Sequence, residues 1–73
     1  MTEELFAKIV TRALSDRGFR DGLAATPQKT LASAGFELTT DQLNAIVLAK
    51  PAEWGKLTLD DIMSRIDLFY AKR

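Results

Sequence analysis

Apolar residues recur at three- and four-residue spacing in several short segments of the chain, which is the period of an amphipathic helix. The first segment places these side chains on one stripe: Leu5, Phe6, Ile9, Val10, Ala13 and Leu14. Thr2 can cap this segment, and Glu3 and Glu4 lie in its first turn, where the helix dipole favours anions. The pattern therefore predicts a first helix over residues 3–14.

The second predicted helix is short and weak. Ser15 offers a cap, and Phe19 and Leu23 lie four residues apart, as on one helix face. Gly18 and Gly22 each cost about 1 kcal/mol relative to alanine inside a helix. We predict this helix over residues 16–25 and expect it to depend on packing against its neighbours.

A third helix has clear signals at both ends. Proline is tolerated at the first helical position, so Pro27 predicts a start there, with Thr26 satisfying an unpaired amide. The helix should end near residue 34, because Gly35 fits the left-handed residue that follows a helix. Phe36 would then contact Leu31 in a Schellman stop. If Phe36 enters the core, Phe36→Ala should cost about 3–5 kcal/mol.

The fourth helix is predicted to start at residue 40. Thr39 and Gln42 have the spacing of a capping box, and Leu38 and Leu43 have the spacing of a hydrophobic staple. Pro51 ends this helix, because the residue before a proline is pushed out of helical geometry. The residues that follow are compatible with one short helical turn.

The same start signals recur before the last helix. Leu57 and Ile62 form a second staple, and Asp61 stands three residues after the cap Thr58. Asp61 and Arg65 are also placed for a favourable ion pair. Three-to-four spacing then continues to the end of the chain at Leu59, Ile62, Met63, Ile66, Phe69 and Tyr70. Together these segments predict an all-α fold, a small compact bundle of about five short helices that forms a single domain over residues 1–73.

Composition excludes most catalytic chemistry. The 73 residues contain no Cys and no His, so disulfides, thiolate zinc sites and a histidine base are all absent. Asp60 and Asp61 are adjacent, and adjacent side chains on a helix point about 100° apart, which is poor for a shared proton or metal. The four glycines are too dispersed to cradle a phosphate. We therefore expect a protein that is not an enzyme and that uses no cofactor or metal.

Charge and hydropathy limit the partners. Ten Lys and Arg balance ten Asp and Glu, so a field that steers nucleic acid or an anionic membrane is missing. The acidic neighbours of Arg17 and Arg20 offset that small basic cluster, which we interpret as a solvated face. No apolar run is long enough for a signal peptide or a membrane span. We expect a cytoplasmic protein that binds neither nucleic acid nor membranes.

Large apolar residues are numerous for a core of this size, which suggests that some of them face a partner. Our candidates for partner binding are Trp54, Ile66, Phe69 and Tyr70. Trp54 lies in the turn between the last two long helices, where both core packing and a role as interface anchor are open. A homodimer through residues 62, 66 and 69 is a further expectation.

Eight residues follow a recurring order: aspartate, phenylalanine and arginine, then leucine, proline and a second leucine, and finally glycine and leucine. They are Asp16, Phe19, Arg20, Leu23, Pro27, Leu31, Gly35 and Leu38. This pattern resembles the nitrile-hydratase-like leader peptide clan, small helical domains at the N-terminus of precursors to ribosomally made, modified peptides. Residues 43–67 resemble a branch of the same clan. The resemblance implies a non-catalytic module that docks on a peptide-modifying enzyme.

Two other groups of proteins share this arrangement of short capped helices. The chain also resembles the binding domain of borosin precursors and the small α subunit of protocatechuate-type extradiol dioxygenases. The second resemblance implies an alternative function, a non-catalytic subunit that covers the active site of a larger catalytic subunit. Precursors of modified peptides usually continue into a core peptide, whereas this sequence ends at Arg73, so we expect either a leader without its core or a stand-alone relative.

Overall fold

The computed structural model describes residues 2–71, which form five α-helices and one 3₁₀ helix and contain no strand. The helices are α1 (Thr2–Ser15), α2 (Arg17–Ala25), α3 (Pro27–Ser33), α4 (Thr40–Leu48), the 3₁₀ helix (Pro51–Lys56) and α5 (Leu59–Ala71). This confirms the predicted all-α bundle. Helix α1 begins one residue earlier than expected, so Thr2 lies inside it rather than before it.

The start of α2 differs from the prediction. Helix α1 continues through Ser15, whose hydroxyl donates to the carbonyl of Thr11 (3.1 Å), so Asp16 rather than Ser15 caps α2. The Asp16 carboxylate accepts a hydrogen bond from the backbone amide of Phe19 at 3.1 Å. That bond lowers the pKa of Asp16, and a side-chain hydrogen bond from Arg12 lowers it further. The cap prediction was wrong because it placed the helix boundary one residue too early.

Arg20 also has a structural role instead of lying on a solvated face. Its side chain is half-buried, and its Nη1 donates to the carbonyl of Ala13 near the end of α1 (3.1 Å). Its guanidinium also lies against Gly55 of the 3₁₀ helix, where an added Cβ would come within 3.4 Å. Arg20 therefore connects α2, to which it belongs, with α1 and the 3₁₀ helix.

Helices α2 and α3 approach each other closely. Thr26 ends α2, and its backbone amide donates to Gly22 at 2.7 Å. Because its hydroxyl also lies toward that carbonyl, at 3.5 Å, Thr26 makes no side-chain cap for α3, contrary to the prediction. A Cβ at Gly22 would lie 2.5 Å from the hydroxyl of Thr30, so glycine permits this approach.

The other predicted helix boundaries are confirmed. Gly35 has a φ of +88°, and the amide of Phe36 donates to the carbonyl of Leu31 at 2.9 Å, the bond of a Schellman stop. Thr39 and Gln42 form the complete capping box of α4. Thr58 and Asp61 exchange the corresponding bonds, at 3.1 and 3.4 Å, at the start of α5.

The core lies between α1, α2, α4, α5 and the 3₁₀ helix. Helix α3 contributes only one buried side chain, Leu31. The buried apolar residues of the described chain are Phe6, Ile9, Val10, Ala13, Phe19, Leu23, Leu31, Ala45, Ile46, Ala49, Trp54, Ile62 and Ile66. Phe36 is only half-buried, so the expectation that it enters the core is wrong. It packs on the edge of the core instead, with its ring centroid 6.2 Å from that of Phe19.

Candidate functional site

The connection after α4 packs against a buried tryptophan. The side chain of Trp54 is fully buried, and its Nε1 donates to the carbonyl of Ala49 at 3.0 Å. The guanidinium of Arg65 reaches the same carbonyl at 3.4 Å and the carboxylate of Glu53 at 2.8 Å. We call these four residues the Trp54 junction. It joins the end of α4, the 3₁₀ helix and α5.

The electrostatics of this junction differ from the sequence-based expectation. Arg65 does not pair with Asp61, because the Asp61 carboxylate accepts from the backbone amide of Thr58. Its partner is Glu53, twelve residues earlier, and this hydrogen bond lowers the pKa of Glu53. The bond favours the charged form of the carboxylate at neutral pH.

Only part of the predicted partner-binding set is accessible. Trp54 and Ile66 are 0% and 1% exposed, so neither side chain lies at the surface of the described chain, and for Trp54 this is the core packing that the sequence left open. Phe69 and Tyr70 are half-buried. In the predicted dimer stripe, Ile62 and Ile66 are both buried in the core of their own chain, whereas Phe69 is half-buried.

The connection before α4, by contrast, lies beside a groove. Between α3 and α4 lies a groove of about 400 Å³ with Leu31 at its base. Phe36, Leu38 and Leu43 line it and are only half-buried. The remaining lining residues are Gln28, Ala32, Gly35, Glu37, Thr39 and Thr40. We call this the α3–α4 groove.

The backbone between α3 and α4 explains why the groove stays open. The amide of Phe36 bonds back to Leu31, and the amide of Thr39 donates to the side chain of Gln42 at 2.9 Å. Between them, the amides of Glu37 and Leu38 donate to no other group within residues 2–71. The turn therefore satisfies its ends locally, whereas the two amides in its middle have no acceptor among the described residues.

A second depression of about 490 Å³ adjoins the α3–α4 groove along α3. The two share Gln28, Ala32 and Leu43, and the second one extends past Lys29 toward the start of the helix. One acidic residue, Glu37, and one basic residue, Lys29, therefore border the combined surface. Its charges balance, which suits a partner segment that is mainly apolar.

The sequence pattern assigned local roles to several residues of this groove but did not predict that they line one surface. Phe36 was identified as a helix-stop contact, and Leu38 and Leu43 as a staple. Each interpretation concerns residues close together in the sequence. The signal that could have found the site is the concentration of three large apolar residues in or beside a six-residue connection, too many for local contacts alone.

The described residues offer no group of three or more His, Cys, Asp or Glu side chains that could hold a metal ion. Over the same part of the chain, none of the helices combines the length and apolar character needed to cross a bilayer. Comparisons with protein-family models, with curated proteins and with solved structures gave no match.

Proposed function

We propose that this protein is a non-catalytic helical recognition module that docks on a larger, peptide-modifying enzyme, as the leader region of a ribosomal peptide precursor does. The observation that carries the proposal is the α3–α4 groove. It is a partly apolar surface of ligand-binding size, whereas Trp54, the side chain that the sequence offered as a partner anchor, is buried in the core. The groove accepts an apolar segment of the enzyme.

The side chains of the groove support this role energetically. Phe36, Leu38 and Leu43 are each partly exposed in the isolated chain. Covering the rest of such a side chain contributes on the order of 1 kcal/mol. Three of them in one concave surface resemble the apolar centre of a protein interface, with polar residues such as Gln28 and Thr40 at the rim.

The residues that carry the family resemblance divide into two groups in the structure. Asp16 caps α2, Phe19 lies in the core and Arg20 ties α1 to the 3₁₀ helix. The later members, Leu31, Gly35 and Leu38, line the groove. The first group maintains the fold, and the second group forms the surface that we assign to docking.

A matched pair of variants tests the proposal. Ala32 is exposed and lines the groove, so Ala32→Arg should block it without opening the core. Ala24→Arg adds the same side chain at an exposed position of α2 that lines none of the described cavities near the groove. Arginine and alanine have similar helix propensities, so both variants should stay folded. The wild-type chain is used as bait, and the captured enzyme is purified and titrated with all three chains.

We expect Ala32→Arg to weaken binding at least tenfold (about 1.4 kcal/mol) and Ala24→Arg to leave it nearly unchanged. A peptide fused to the C-terminus of the chain should also be modified faster by the enzyme than the free peptide. Equal binding by Ala32→Arg, or equal modification without the chain, would contradict the proposal. Capture of a ring-cleaving catalytic subunit would instead favour the dioxygenase alternative.

A further inference from the structure

A second cleft lies between α1 and α5 and has a different character. Its volume is about 400 Å³, and Phe6, Met63, Ile66 and Tyr70 form its apolar wall. The rings of Phe6 and Tyr70 meet edge to face, with centroids 5.4 Å apart and planes at 78°. Phe6 and Ile66 are buried beneath the cleft, whereas Met63 and Tyr70 remain partly exposed. We call this the α1–α5 cleft.

The charged residues that line the cleft are both carboxylates. Asp60 and Asp67 are exposed, and Ser64 lies between them on the same helix. Among the described residues, neither carboxylate forms an ion pair, since the two ion pairs present use Asp16 and Glu53. The cleft therefore combines an apolar wall with an unneutralised acidic edge, although the chain as a whole carries no net charge.

The spacing of the carboxylates restricts the partner. Seven residues on a helix span about 10.5 Å and return to nearly the same face, so Asp60 and Asp67 form two acidic points on one line. In a partner strand, side chains on the same face recur about every 6.7 Å, so two of them are separated by about 6.7 or 13 Å. Neither separation matches the roughly 10.5 Å between Asp60 and Asp67. A partner helix with basic residues seven positions apart matches the line directly.

We infer that the α1–α5 cleft binds a basic amphipathic helix of another protein. Its Lys or Arg side chains, seven residues apart, face Asp60 and Asp67, and its apolar residues between them cover Met63 and Tyr70. Within residues 2–71, no helix of this chain carries two basic residues at that spacing, but the sequence places Arg65 and Lys72 seven residues apart, so a second copy is kept as an outcome of the test. This surface is separate from the α3–α4 groove and does not depend on the function proposed for it.

Synthetic peptides test the inference on the full chain. The probe is a helical peptide of about 18 residues with two lysines seven positions apart and leucines at the third and fourth positions between them. One control peptide moves the second lysine to five positions from the first, which turns it to another face. A second control replaces both lysines with glutamine. Binding is measured by isothermal titration calorimetry at low and high salt.

We expect the probe to bind best, and its affinity to fall as salt screens the exposed charges. The double variant Asp60→Asn with Asp67→Asn should weaken binding roughly tenfold, within the range of two exposed ion pairs. Asp21→Asn, an exposed carboxylate on α2 outside the cleft, should leave it unchanged. With the glutamine peptide, the double variant and the wild type should bind equally weakly.

Three results would overturn the inference. The first is equal affinity for the seven- and five-spaced peptides. The second is binding that is insensitive to salt or to the double variant. The third is a dimer of the chain, seen by analytical ultracentrifugation, that dissociates when Asp60 and Asp67 are both replaced, because this would assign the cleft to a second copy.

Discussion

The two connections that flank α4 differ in how their backbone is hydrogen-bonded and in how deeply their large apolar side chains are buried. After α4, the chain places Trp54 against the carbonyl of Ala49, and the space between α4 and α5 is filled. Before α4, a Schellman stop and a capping box satisfy the backbone locally, and Phe36 is left half-buried beside a groove. A junction that uses a large side chain as its hydrogen-bond donor becomes part of the core. The connection that has no such donor leaves its large apolar side chains half-buried at the edge of the core.

The largest expected effect concerns the connection after α4. Trp54→Ala should destabilise the fold by about 3–5 kcal/mol, because it leaves a cavity and removes a donor from the Ala49 carbonyl. That is a large share of the stability of a domain of this size, so the variant should be partly or wholly unfolded. Urea melts followed by circular dichroism measure the loss.

A conservative variant separates the two contributions at Trp54. Trp54→Phe keeps much of the ring but loses the indole N–H, so we expect a smaller loss than for alanine. If Trp54→Ala costs less than about 1 kcal/mol, the indole does not hold the junction together.

The connection before α4 should be less sensitive. Phe36→Ala should cost about 1–2 kcal/mol, because a half-buried ring loses about half the transfer free energy of a buried one. This value is below the 3–5 kcal/mol expected from the sequence, since the structure leaves the ring on the edge of the core. The same urea melts compare it with Trp54→Ala. Equal losses at the two positions would remove the distinction between the connections.

The smallest effect is a pH dependence of the connection after α4. The hydrogen bond from Arg65 lowers the pKa of Glu53 in the folded chain, so its contribution to stability is fully present above the ordinary value of 4.5. It is lost as the pH falls through the lower folded pKa. Glu53→Gln should therefore melt below the wild type at pH 7, with the difference shrinking on acidification. A difference that is constant with pH would show that this ion pair is not the cause.

Residues near one another in the sequence were the ones best predicted. The Gly35 stop and the capping boxes at Thr39 and Thr58 each depend on a few consecutive residues, and all three are confirmed. The errors arise where a side chain has a competing partner. Ser15 bonds back into α1, and Asp61 binds the Thr58 amide instead of Arg65.

The burial of Trp54 and the exposure of Phe36 depend on how helices distant in the sequence come together. The sequence left both core packing and an interface role open for Trp54, and the structure buries the indole, whose Nε1 donates to the Ala49 carbonyl. Phe36 has the local pattern of a core residue, yet it is half-buried and packs on the edge of the core beside Phe19. The local helix-stop and staple roles of the groove residues could therefore be predicted from the sequence, but that they line a candidate site could not, and none of the predicted partner-binding residues lies in the groove.

Amide hydrogen exchange of the chain, free and bound to the captured enzyme, tests the central claim most directly. Our account predicts that binding slows exchange at residues 34–43, including the free amides of Glu37 and Leu38, while the 3₁₀ helix Pro51–Lys56 exchanges as before. Slower exchange in Pro51–Lys56 without any change at residues 34–43 would contradict it and return the docking surface to the side of the molecule that holds Trp54.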